Sequence, residues 1–354
     1  MLVAGIIFGP FTPGFSIEPS RITDIAQLGG ILLMFSAGLD LDFYALKKVK
    51  FTFTSIAIAG SMLSFILGYM FGISMGWNTI PSAFLGVMIM STSSTMALKF
   101  IEDSNIKQDR SVTAIIGAVA SDDIFGLICM TIVANIFLGE EVHIIKSVIG
   151  TSLIVAAMLI SIYLGRKTVP SMLDITKKIS PGSELLLAVS ICFFFAYLSS
   201  FAGLSPYLGA FIAGLIVAST VYVGDVLRYV KPIRTLFCGV FFAAMGMLID
   251  PTHIFPVLLV AIAISAVAVF GKFITGLSVL YLQKTPMRAA ISASTFLIPR
   301  GEIAMIVAGY GVTIGACPPE FLSIGALIMI ITTLVAIFFM RLNNSENTHI
   351  TKTL

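Results

Sequence analysis

The chain has 354 residues, of which 58% are hydrophobic and 11% charged, with a formal net charge of +3. Soluble domains run near ~45–50% apolar and ~25% charged, and surface-to-volume scaling leaves a water-soluble fold nowhere to hide this much apolar surface. A soluble globular protein is excluded, and so small a positive balance argues against nucleic acid as a partner.

Read as a polytopic membrane protein, the chain divides into apolar runs of the ~17–25 residues a helix needs to cross a bilayer. The first run, Met1 to Gly9, is too short for that and ends in the turn "GPFTPGF". It lacks the basic start and cleavage site of a signal peptide. It reads as the last part of a helix, with its beginning expected upstream of this chain. Spans are then predicted near 22–39, 51–75, 80–99, 112–138, 144–165, 183–203, 205–220, 232–249, 253–282, 287–310 and 319–340.

Loop charge supports that reading, because Lys and Arg collect on the cytoplasmic side. Alternate loops carry Lys47 to Lys50, then Lys107 and Arg110, then Arg166, Lys167, Lys177 and Lys178, then Arg228, Lys231 and Arg234, then Lys284 and Arg288. The intervening loops hold only Arg21 and Lys146, among the acids Glu18, Asp24, Glu140, Glu141, Asp250 and Glu320. Both ends of the chain are therefore expected in the cytoplasm, including a short tail over 343–354. The cysteines Cys129, Cys192, Cys238 and Cys317 lie in or beside apolar stretches without metal-type spacing, and read as free thiols.

Ionisable residues well inside spans need a separate reason. They are Asp122 and Asp123 in "AVASDDIFGLIC", Lys272 in "AVFGKFITG", and Arg300 with Glu302 in "STFLIPRGEIAMI". A charge at a helix centre costs ~2.5–3.5 kcal/mol on insertion scales, so such residues face the protein interior or a water-filled cavity. A single ion pair that only holds helices together is the plain reading. Two adjacent acids against one lysine fit it poorly, since their charges do not cancel. Such a trio can trade a proton for a cation, as a proton-coupled carrier must.

Two spans are interrupted. The fourth places Ser91, Thr92, Ser93, Ser94 and Thr95 at mid-membrane, and the eleventh places Pro299 and Gly301 around Arg300. Hydroxyl clusters and Pro/Gly both loosen helices, and irregular backbone at that depth survives only where protein buries it or it lines a cavity. The breaks sit in corresponding places. Spans three to five run plain helix, broken helix, helix with the Asp pair; spans ten to twelve run helix with Lys272, broken helix, plain helix. An odd number of spans in each trio makes them inverted repeats, the arrangement that marks a carrier's binding site. The half-helix ends that meet there need counter-charges, which Arg300 and Glu302 can supply. The expected fold is thus an all-α polytopic membrane protein with inverted repeats and two crossing discontinuous helices.

At these residues the chain resembles the cation:proton antiporter-2 family, and within it the NapA-type sodium/proton antiporters. The matching stretches are "GILLMFSAGLDLD", "STSST", "SDDIFGL", "SPYLGAFIAGL", "FFAAMGMLID", "GKFITG" and "PRGEIAMIVAG", in family order over almost the whole chain. The resemblance implies an NhaA/NapA-like fold. Its six-helix core bundle would be about 51–138 and 253–340, its panel or dimer part about 1–48 and 183–249, and its linker helix about 144–165, all within one transmembrane domain over 1–342. It implies a homodimer in the cell (inner) membrane that needs no cofactor, catalyses no bond-making reaction and serves pH homeostasis. Asp123 resembles the essential cation- and proton-binding carboxylate, and Asp122 its neighbour, paired with Lys272. Those two acids would hold the transported sodium, with Thr92 and Ser93 near the ion and Arg300 and Glu302 as the charges of the second broken helix. Electrogenic sodium (or lithium) export against protons by alternating access is the function implied. Potassium/proton exchange is the alternative. An ion channel fits less well, since no filter loop is repeated, and a receptor or scaffold would not need the buried trio.

Overall fold

The structure is a computed structural model and describes residues 1–12, 18–40, 50–103, 110–139, 160, 163–165, 167–176, 180, 182–202 and 204–350. The span expected near 144–165 falls almost wholly outside these residues. So do Lys47, Lys107, Glu140, Glu141, Lys146, Arg166, Lys177 and Lys178. Among the described residues the secondary structure is helical. The elements are α1 (Leu2–Ile7), α2 (Pro19–Leu39), α3 (Lys50–Ser74), α4 (Thr79–Met90), α5 (Ser94–Asp103), α6 (Arg110–Leu138), α7 (Ser183–Phe201), α8 (Pro206–Ala218), α9 (Val223–Met247), α10 (Ile254–Leu282), α11 (Met287–Thr295), α12 (Glu302–Thr313) and α13 (Glu320–Ile350). Among the described residues seven helices are long and apolar enough to cross a membrane: α2, α3, α6, α7, α9, α10 and α13.

The chain packs as two compact units, one from Met1–Phe43 with Leu127–Ile249 and the other from Tyr44–Gly126 with Asp250–Leu354. In the first unit α8 is the centre, buried from Pro206 to Val217. A helix that is apolar all round belongs inside protein, and α2 and α7 pack against it. Its 13 residues reach only ~20 Å at ~1.5 Å per residue, short of the ~30 Å hydrocarbon thickness. The full span expected over 205–220 is therefore a short buried helix. It meets α2 at reciprocal glycines: a Cβ on Gly214 would lie 2.9 Å from the Gly38 Cα, and one on Gly38 3.0 Å from the Gly214 Cα. Any side chain there would force the two backbones apart.

The helix expected from 232 starts at Val223 instead. Arg228, Lys231 and Arg234, expected in a loop, lie inside α9. Pro232, at the expected start of the span, lies inside the helix. Proline forfeits one backbone hydrogen bond, and here the Arg234 guanidinium, paired with the carboxylate of Asp40 at the end of α2, ties the segment down.

The second unit contains both broken spans. α3 packs on α4 and α10; α12 packs on α4 and α13. An apolar core of Ile56, Phe100, Ile115, Leu280 and Phe296 joins α3, α5, α6 and α10 below the second break. The trios α3, α4/α5, α6 and α10, α11/α12, α13 are the expected inverted repeats. At the opposite end the Trp77 and Phe321 rings pack tilted at 47°, their centroids 5.2 Å apart. The α13 helix continues to Ile350, so the tail expected from 343 is helical over its first residues.

Candidate functional site

Both breaks have a local cause. The α4 helix ends at Met90, and Ser91 takes up an extended conformation. Ser91 to Ser93 are non-helical. The break is shorter than the five hydroxyl residues suggest, because Ser93 caps α5: its Oγ accepts from the Met96 N–H at 3.4 Å, leaving Ser94 and Thr95 inside the helix. In the other repeat α11 stops at Thr295 and α12 starts at Glu302. Pro299 cannot donate to a continuing helix and biases Ile298 away from helical backbone.

The two breaks touch. The Ser93 N–H donates to the Pro299 carbonyl at 2.9 Å. Gly301 lies against Ser93 so closely that an added Cβ would sit 2.5 Å from the serine Cβ and 3.1 Å from its Cα. Only glycine permits this crossing. The Arg300 N–H, freed by the break, donates to Thr332 Oγ1 of α13 at 3.0 Å.

Around this crossing stand all the residues singled out in sequence. Lys272 Nζ lies 2.6 Å from Asp122 Oδ2, with the two side chains 1% and 0% exposed. Thr92 Oγ1 donates to the same Oδ2 at 3.0 Å. Ser61 of α3 donates to Oδ1 at 2.8 Å. Asp123 is buried next door, hydrogen-bonded by the Ser94 hydroxyl. Ser93 Oγ donates to Glu302 Oε2 at 3.1 Å. Arg300 is fully buried. Its guanidinium donates to the Leu297 carbonyl at 2.9 Å, the Ala268 carbonyl at 2.7 Å and Thr92 Oγ1 at 3.4 Å. Arg300 and Glu302 thus serve different ends. The arginine satisfies the Leu297 carbonyl just past α11, near the negative end of a helix dipole, and the Ala268 carbonyl of α10, while the glutamate opens α12 at a positive end.

Formal charge gives the cluster a purpose. Asp122, Asp123 and Glu302 oppose Lys272 and Arg300, so full ionisation leaves one uncompensated negative charge in a dry interior. A charge there is costly unless paired. One proton would neutralise it, and so would one monovalent cation while Lys272 keeps its charge. Oxygen donors suited to a hard cation are at hand in the carboxylates and in the buried Ser91 hydroxyl, which has no partner among the described residues. Sequence reading found every charged member of this cluster. It missed Ser61 and Thr332, since a serine or threonine in an apolar helix commonly bonds only its own backbone.

Comparison with known proteins agrees with this architecture. The model of the transmembrane sodium/hydrogen exchanger family matches residues 1–341. The chain is similar to the Na(+)/H(+)-K(+) antiporter GerN of Bacillus cereus, 29% identical over 94% of this chain and 86% of that one. It is also similar to the probable Na(+)/H(+) antiporter GerT of Bacillus cereus, 31% identical over 88% of this chain and 83% of that one. Among solved structures the sodium proton antiporter MjNhaP1 from Methanocaldococcus jannaschii shares the fold. Its TM-score is 0.73 at 15% identity, over 97% of this chain and 89% of that one. The broken-helix crossing, the buried carboxylates and the match over nearly the whole length together place this chain in the transmembrane sodium/hydrogen exchanger family.

Proposed function

We propose that this protein is an electrogenic secondary antiporter that exports sodium (or lithium) in exchange for protons by alternating access. The observation that carries the reading is the fully buried Asp122–Lys272 pair at 2.6 Å, beside Asp123, at the crossing of two broken helices. In the cation-loaded state Asp123 and Asp122 hold a partly dehydrated cation, and Lys272 leaves its partner and gives up a proton. In the proton-loaded state Asp123 is protonated and Lys272 is held in its ion pair with Asp122. One site serves both ions, so competition at Asp123 couples their movements. With two protons per cation, one net charge moves per cycle, and ~2.3 kcal/mol per 100 mV of membrane potential drives export.

The second unit is proposed as the moving core and the first as the panel, with Leu127 to Leu138 of α6 assigned to the first unit by its packing. A homodimer through the panel, residence in the cell membrane and cytoplasmic ends complete the reading; the loop charges support the orientation. Potassium/proton exchange is the second reading, favoured by the name of GerN, which includes potassium as well as sodium. Exchange in proteoliposomes with sodium, lithium and potassium at several pH values decides between them. Sodium- or lithium-driven proton flux enhanced by a membrane potential is expected. Flux with potassium alone would move the substrate to the second reading, and currents of channel size would reject a carrier.

A further inference from the structure

Most hydroxyls in the spans have an ordinary explanation. Thr131, Ser265 and Thr275 bond the carbonyl four residues back in their own helix. Ser61 does not. It is buried on α3, outside the broken helices, and its Oγ donates to Asp122 Oδ1 at 2.8 Å while Lys272 Nζ approaches the same Oγ at 3.5 Å. Three helices thus close a triangle: Ser61 from α3, Asp122 from α6 and Lys272 from α10. The residue before it completes the cradle. A Cβ on Gly60 would lie 3.3 Å from Lys272 Cδ and 3.4 Å from Nζ, so the missing side chain gives the lysine stem room. No charged residue lies on α3 between Phe51 and Ser74, and Gly60 and Ser61 both adjoin the lysine.

We propose that Ser61 is a positioning residue for exchange, holding Asp122 while Lys272 is paired and accepting the lysine when a cation draws Asp122 away. The proposal rests on the antiporter reading above. Its physical basis is an asymmetry between the two states. While the pair is closed, Asp122 has Lys272 and Thr92 as well as Ser61, so one lost donor costs little. Once the pair opens, the Lys272 amine keeps one other hydrogen bond among the described residues, to the Ser61 oxygen. A hydroxyl can rotate to donate to a carboxylate in one state and accept from an amine in the next. Without it the released lysine loses that hydrogen-bond acceptor, and a buried polar group left without a partner costs more than a hydrogen bond contributes. Loss of the hydroxyl therefore penalises the cation-bound state selectively and leaves the motion of the units untouched.

The test is sodium-driven proton flux in proteoliposomes for the wild type, Ser61→Ala, Ser61→Thr and Ser64→Ala. Ser64 is the control: a buried serine one turn further along α3, whose hydroxyl has no partner among the described residues. Ser61→Ala should raise the apparent KM for sodium about three- to ten-fold, the span of one hydrogen bond, with the maximal rate within about two-fold of wild type. Ser61→Thr, which restores the hydroxyl, should bring KM back toward the wild-type value. Ser64→Ala should change neither parameter. An unaltered KM in Ser61→Ala overturns the proposal, as does an equal change in both alanine variants, which would signal packing alone. If Ser61→Thr does not fold, the contrast between the two alanine variants decides by itself. Wild-type exchange is measured first: its absence rejects the antiporter reading, whereas wild-type exchange with an unaltered Ser61→Ala rejects only the role of Ser61.

Discussion

Breaking the Asp122–Lys272 pair from either side should have unequal costs, and the structure sets their order. The pair is sealed, 1% and 0% exposed, so no water can replace a lost partner. Removing one member of such a pair typically costs ~3–5 kcal/mol. Lys272→Met leaves Asp122 with two hydroxyl donors, Ser61 at 2.8 Å and Thr92 at 3.0 Å, and belongs near ~3 kcal/mol. Asp122→Leu leaves the Lys272 ammonium with the Ser61 oxygen at 3.5 Å, and belongs near the upper limit. That limit is set by escape: shedding the proton at pH 7, from an ordinary lysine value of ~10.4, costs about 4.6 kcal/mol. The double variant holds neither charge and orphans only the two hydroxyls, at ~1 kcal/mol each. It should therefore be more stable than either single variant, with a coupling free energy of about 6 kcal/mol. The assay is reversible unfolding in mixed micelles, followed by circular dichroism, for all four proteins. Additivity within ~0.5 kcal/mol would show that the two side chains do not depend on each other and would refute the reasoning. A larger loss for Lys272→Met than for Asp122→Leu would refute the role given to Ser61 and Thr92 in holding the carboxylate.

Asp123→Asn should abolish sodium-driven proton flux while leaving the protein folded; flux above that of empty liposomes would remove Asp123 from its role. Gly301→Ala drives a methyl to 2.5 Å from the Ser93 Cβ, so it should destabilise by ~1–3 kcal/mol of overpacking, and Ser93→Gly in the same chain should recover part of that loss in the melting temperature. Asp250, between α9 and α10, accepts from the Thr252 hydroxyl at 2.7 Å and the Thr252 N–H at 2.9 Å. These bonds hold its carboxyl below the usual carboxylate range. Its contribution is therefore complete above the unfolded-state pKa of ~3.9 and lost as pH falls through the lower folded value. The melting-temperature gap between wild type and Asp250→Ala should be open at pH 7 and narrow toward pH 2; a gap independent of pH would dismiss the cap.

Legible in the sequence is whatever the bilayer or the backbone forces locally. Long apolar runs have one way to cross hydrocarbon, so α2, α3, α6, α7, α10 and α13 were legible from length alone. Charge inside hydrocarbon is too costly to be incidental, so Asp122, Asp123, Lys272, Arg300 and Glu302 announced themselves without a structure. Proline, glycine and a hydroxyl run mark where a helix cannot continue. The tertiary structure decided what depends on neighbours. The central α8 helix is too short to span, and only its burial between α2 and α7 explains why so apolar a stretch is stable there. The α9 helix runs through Pro232, where the pairing of Arg234 with Asp40 anchors the segment. The choice of Ser61 over Ser64 as the group beside the lysine is likewise invisible in "AGSMLS". Both are serines one turn apart on one apolar helix, and only the third dimension, set by glycines that let helices approach, puts one hydroxyl on Asp122 and leaves the other without a partner.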